Sequence, residues 1–89
     1  MKTFKDLKFE KPDHMGISRA RMSFSNNYGV SVVCGPFVYS NNGTYEVAIL
    51  KNDGLCYDTP ITDDVLGWQT PEQITEVMKE LQGYKENQY

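Results

Sequence analysis

Hydrophobic and polar positions alternate through the first two thirds of the chain. From Ser18 to Ser25 the apolar side chains fall on one face of an extended segment and the polar side chains on the other. This period of two predicts a half-buried strand. Three further strands are predicted over 30–34, 44–50 and 55–57, because each segment is rich in apolar residues and is bounded by a turn containing Asn, Asp or Gly.

The last third of the chain has the period of a helix. Thr70, Pro71 and Gln73 combine an N-cap residue, a proline at the first helical position and the partner residue of a capping box. Four apolar residues then recur on one side of the predicted helix, and Gly83 ends it: Ile74, Val77, Met78 and Leu81. A helix with such a stripe must bury it against another element.

Together these elements predict an α+β fold, a four-stranded antiparallel β-meander with the C-terminal helix packed on one face. The predicted single domain spans 18–83. Residues 1–17 are predicted to form an N-terminal arm or short helix, and 84–89 a flexible tail.

The face of the sheet away from the helix is also expected to be partly apolar. If Ala20 and Met22 face the helix, then four apolar side chains fall on the opposite face: Val33, Ala48, Leu50 and Cys56. A monomer rarely exposes that much contiguous apolar surface. Either the N-terminal arm or another chain is therefore expected to cover it, and a homodimer is one prediction.

Composition narrows the classes of protein that fit. The 89 residues contain 39% hydrophobic residues and carry a net charge of -3, with an excess of basic residues before position 23 and of acidic residues after it. No apolar run is long enough for a membrane span, and the first residues lack a secretory signal, so a cytoplasmic protein is expected. Nucleic acid is a disfavoured partner, because its binding proteins are usually basic. Cys34 and Cys56 are expected to be reduced.

The stretch from Tyr57 to Glu72 joins the predicted sheet to the helix. It contains the only Trp and a group of acidic residues, and 62–67 is predicted to form one helical turn with Gly67 at its end. Trp68 is predicted to be a core residue that fills the gap between this stretch and the helix. The acidic residues Asp58, Asp63 and Asp64 lack the spacing of a calcium loop, so no metal site is predicted. They are interpreted either as capping and turn-stabilising residues or as an acidic rim that contacts a partner.

No motif in the chain predicts catalysis. His14 is the only histidine, neither cysteine has a nucleophile signature, and the glycines are interpreted as sheet punctuation. The protein is therefore predicted to be no enzyme and to need no cofactor. Phe37 and Tyr39, beside the break at Gly35 and Pro36, are predicted to be exposed anchors for a protein partner.

Three segments in this order resemble a family of small, uncharacterised tailed-bacteriophage proteins: 27–33, 45–50 and 57–67, within about residues 24–82. The resemblance implies expression in the cytoplasm of an infected bacterium and supplies no catalytic residue. Small phage proteins of this size often bind host proteins, including nucleases and other defence components.

The leading hypothesis is a non-enzymatic phage accessory protein that binds and inhibits a host protein, with an immune effector (an anti-CRISPR-like role) among the candidates. The alternative is a module that binds or sequesters a nucleotide or another small molecule. A third interpretation, a metal-dependent nuclease, would use Asp58, Asp63 and Asp64.

Overall fold

The structure is a computed structural model that describes residues 1–36, 38, 40, 43–52, 54, 55 and 65–84. It contains a short 3-10 helix, five strands and one α-helix. In chain order they are the 3-10 helix Phe4–Asp6, β1 (Ser18–Ser23), β2 (Tyr28–Cys34), β3 (Tyr45–Lys51), β4 (Gly54–Leu55), β5 (Leu66–Gln69) and α1 (Pro71–Gln82).

The strands form one antiparallel sheet in the order β1-β2-β3-β4, and β5 also pairs with β3. The predicted α+β fold, an antiparallel sheet with a C-terminal helix packed against it, is confirmed. The sequence pattern missed β5. Leu66 and Gly67 belong to this strand, so the prediction that Gly67 ends a helical turn is wrong, because pairing with β3 overrides the local capping signals.

Strand β2 begins two residues before the predicted 30–34, because the hairpin between β1 and β2 is tight. The backbone N–H of Phe24 donates to the carbonyl of Tyr28 at 2.7 Å, and Asn27 takes a positive φ of 70°. A three-residue loop with a left-handed third residue is a common hairpin connection. Tyr28 and Gly29 therefore lie in β2, where both are buried.

Helix α1 begins as its sequence predicts. The backbone N–H of Thr70 donates to Oε1 of Gln73 at 2.8 Å, and the backbone N–H of Gln73 donates to Oγ1 of Thr70 at 3.2 Å. The apolar stripe of the helix packs on the sheet, with Ile74, Met78 and Leu81 fully buried. We call the buried cluster between α1 and the sheet the helix-side core, and its sheet residues include Ala20, Val30, Val32, Val47 and Ile49.

The N-terminal arm lies on the same face of the sheet as α1. Phe4 and Phe9 stack on Tyr45, with ring centroids 5.1 and 5.4 Å from it. The side chain of Gln82 holds the backbone of Lys2 through two reciprocal hydrogen bonds of 2.8 and 2.7 Å. Farther along the arm, the N–H of Glu10 donates to the carbonyl of Arg19 at the outer edge of β1. The described arm therefore borders the sheet and extends the helix-side core, so the option that it covers the far face is wrong.

The far face of the sheet, opposite α1, is less exposed than the pattern predicts. Leu50 is only 2% exposed although it lies outside the helix-side core, and Val33 and Ala48 are half-buried. Of the four side chains predicted for this face, Cys56 lies outside the described residues and the other three leave little apolar surface exposed, so the homodimer stays a prediction. Among the described residues, no helix is long and apolar enough to cross a membrane.

Candidate functional site

The five residues predicted to contact a partner lie outside the described part of the chain. They are Asp58, Asp63, Asp64, Phe37 and Tyr39. Their role stays a prediction. The described residues on either side of the acidic stretch, in β4 and β5, do have a defined geometry, and they form the candidate site.

Strands β4 and β5 are two parts of one interrupted edge strand. Both run antiparallel to β3 on the side away from β2, with Leu55 opposite Leu50 and Leu66 opposite Val47. Eleven steps along the chain separate Leu55 from Leu66, but only three separate their partners in β3. Both strands therefore lie along the same edge of β3.

A β-bulge interrupts the pairing of β5 with β3. Leu66 faces Val47 and Gln69 faces Tyr45, so that the single residue between the two β3 partners opposes both Gly67 and Trp68. Trp68 has a φ of 52°, in the left-handed region. Bulges of this kind usually place a glycine at the left-handed position, because a Cβ there approaches the following carbonyl oxygen. Here the glycine is one residue early, and the tryptophan carries the strain.

Trp68 is exposed, and the prediction that it fills a gap in the core is wrong. Its exposed fraction is 55%, whereas Leu66 packs against the helix-side core. The extra residue of the bulge explains the difference, since it breaks the alternation that would otherwise determine which residues face the core. The side-chain amide of Gln69 donates to the carbonyl of Gly67 at 3.1 Å and braces the bulge.

Leu55 is the second exposed apolar residue on this edge, with 59% of its surface accessible. It lies opposite Leu50, and Trp68 lies near the level of Glu46 in β3, four residues away. At about 3.3 Å per residue, their backbones are roughly 13 Å apart along the edge. We call the surface formed by Leu55 and Leu66–Gln69 the β4–β5 edge.

The sequence from β4 to the first turns of α1 is acidic. From Asn52 to Met78 the sequence contains six acidic residues and no Lys or Arg. Two of them, Glu72 and Glu76, are exposed on the first turns of α1, which begins directly after β5. The β4–β5 edge thus exposes large apolar side chains, which is the character of a protein-binding surface, and Lys51 lies opposite Gly54 at the same edge.

A cleft of about 730 Å³ lies between the arm, the end of β1 and the end of α1. Its polar lining is already engaged, because Oδ2 of Asp6 accepts the N–H of Thr3 at 2.8 Å and the Gln82 amide holds Lys2. The hydrogen bond from the Thr3 backbone is the main reason that the pKa of Asp6 lies below its ordinary value. The cleft is large enough for a small molecule but offers it few uncommitted polar groups.

A second carboxylate, Asp13, organises the turn before β1. It accepts the backbone N–H groups of Ile17 and Met15, which are the largest causes of its lowered pKa, and Arg19 lies 3.3 Å from it. His14 is exposed in this turn, as its loop sequence predicts. Asp13 therefore has a structural role in this turn.

The described residues contain no cluster of side chains that could bind a metal ion. No three His, Cys, Asp or Glu side chains among these residues gather closely enough to hold an ion. Cys34 is half-buried and forms no disulfide within the same part of the chain. The carboxylates of the third interpretation, Asp58, Asp63 and Asp64, lie outside it, so the nuclease interpretation gains no support from the described residues.

Comparison with known proteins assigns the chain to no family. A scan against protein-family models, a search of curated proteins and a search of solved structures all find no match to the chain. The resemblance to phage proteins stays a prediction. The geometry of the β4–β5 edge is consequently the feature of the chain that points to a function.

Proposed function

We propose that the protein is a non-enzymatic phage accessory protein that binds a host protein in the cytoplasm of an infected bacterium and inhibits it. The observation that carries the proposal is the β4–β5 edge, where Leu55 and Trp68 are both more than half exposed on one side of the sheet. Large apolar side chains grouped on a small domain usually mark a binding surface. The predicted partner residues Asp58, Asp63 and Asp64 fall between these two in sequence.

Binding fits the described residues better than catalysis does. Both carboxylates with a lowered pKa, Asp6 and Asp13, owe it to backbone N–H groups of their own turns. The pKa of a catalytic group, in contrast, is usually shifted by burial or by a second titratable side chain in a cleft. The protein is therefore proposed to act by occupying a surface of its target.

Affinity capture from bacterial lysate, followed by an activity assay, tests the proposal. The baits are the wild-type protein, the double variant Leu55→Ser/Trp68→Ala, and the control Met15→Ser, which alters an equally exposed apolar residue (48%) in the turn before β1. The wild type and the control are expected to retain one protein in stoichiometric amounts, and the double variant is expected to lose it. Adding the wild-type protein to the purified target should reduce the target's activity at about equal molar ratio.

Two outcomes would contradict the proposal: no stoichiometric partner for the wild type, or equal capture by the double variant. A defence effector as the target has its own test. A host with an active nuclease defence should become permissive to phage infection when it expresses the wild-type protein, and should stay resistant when it expresses the double variant.

The cleft of about 730 Å³ favours a second candidate function, binding of a nucleotide or other small molecule. Its size lies within the usual range of ligand pockets. A thermal-shift screen with nucleotides separates the two functions, since ligand at a hundred times its Kd stabilises a protein by about 2.7 kcal/mol. A saturable rise in Tm that Met22→Trp abolishes, by filling the cleft, would support this candidate, and an unchanged Tm with every nucleotide would reject nucleotide binding.

A further inference from the structure

We draw no further inference here: the strongest candidate, the exposed apolar surface of Leu55 and Trp68 on the β4–β5 edge, belongs to the site already described, and nothing in the described part of the chain shows what covers it.

Discussion

The helix-side core and the β4–β5 edge are adjacent parts of one sheet, but they differ in almost every physical respect. In the core, Ile74, Met78 and Leu81 are fully buried, and the helix that carries them is capped at its first turn. At the edge, the strand is interrupted, a bulge shifts the register, and Trp68 is exposed in a left-handed conformation. If the β4–β5 edge binds a partner as proposed, stability and recognition are located in different residues. Substitutions should therefore change one property without the other.

The largest expected effect is on the core. Ile74→Ala removes a fully buried side chain where α1 meets the sheet, and it should lower the free energy of unfolding by about 2–5 kcal/mol, because the cavity is added to the lost transfer free energy. Urea denaturation followed by circular dichroism measures it.

Glu76→Ala, on the exposed side of the same helix, is the matched control for stability and should stay within about 0.5 kcal/mol of the wild type. Ile74→Ala should also leave the partner affinity of the folded molecules unchanged. If this variant lost affinity while still folded, the separation between core and edge would be wrong.

Tyr28 provides a second stability test within the helix-side core. Its hydroxyl is buried and has no hydrogen-bond partner among the described residues, although its ring packs edge-on against Tyr84 at 5.3 Å and Nζ of Lys51 lies 5.3 Å from its centroid. An unsatisfied buried polar group costs about 1–3 kcal/mol. Tyr28→Phe should therefore raise the free energy of unfolding by about 1 kcal/mol or more, measured by urea denaturation. A loss of stability would mean that the hydroxyl is satisfied after all.

Trp68→Gly and Trp68→Ala form a pair that isolates the strain at the edge. Both remove the indole, but only glycine accepts a φ of 52° without a steric penalty. The glycine variant should be more stable than the alanine variant by about 1 kcal/mol, the reverse of the usual order within a strand. Thermal unfolding of the two variants measures the difference, and a more stable alanine variant would show that the left-handed backbone is not kept in solution.

The smallest effect is expected in the turn before β1, away from both regions. Hydrogen bonds from the N–H groups of Ile17 and Met15 lower the pKa of Asp13 below its ordinary 3.8. Its contribution to stability is therefore fully present above pH 3.8 and is lost as the pH falls through the lower, folded-state value. The amide chemical shifts of Met15 and Ile17 should titrate with a midpoint below 3.8, and the transition should be absent in Asp13→Asn. A midpoint at or above 3.8 would contradict the hydrogen bonding.

The elements of this molecule that are predictable from sequence are those specified by contacts between residues close together in the chain. Thr70, Pro71 and Gln73 specify the start of α1 through contacts within one turn, and the alternation around Ala20 and Met22 specifies the buried face of β1. The position of Trp68 depends instead on how β5 pairs with β3, a register that no local pattern encodes.

The candidate site illustrates the same limit. The sequence pattern predicts Leu55 in a strand and Trp68 in the core. Their exposure on a common edge follows from two separate pairings with β3. The sequence does contain one sign of a bulge, the pair Gly67 and Trp68 in a short apolar run shortly before the helix N-cap. Asp63 and Phe37, two of the residues predicted from sequence to contact a partner, lie outside the described ranges. Mutagenesis can test whether they contribute to binding.

The interrupted edge strand also bears on how such a protein can evolve. Since β4 and β5 continue one another along β3, the segment between them can change in length or composition while both stretches of pairing keep their partners. Doubling the length of a loop costs only about 0.6 kcal/mol in closure entropy. A longer segment would therefore cost the fold little stability. In engineering terms, the gap between Leu55 and Leu66 is a natural position for grafting new recognition sequences.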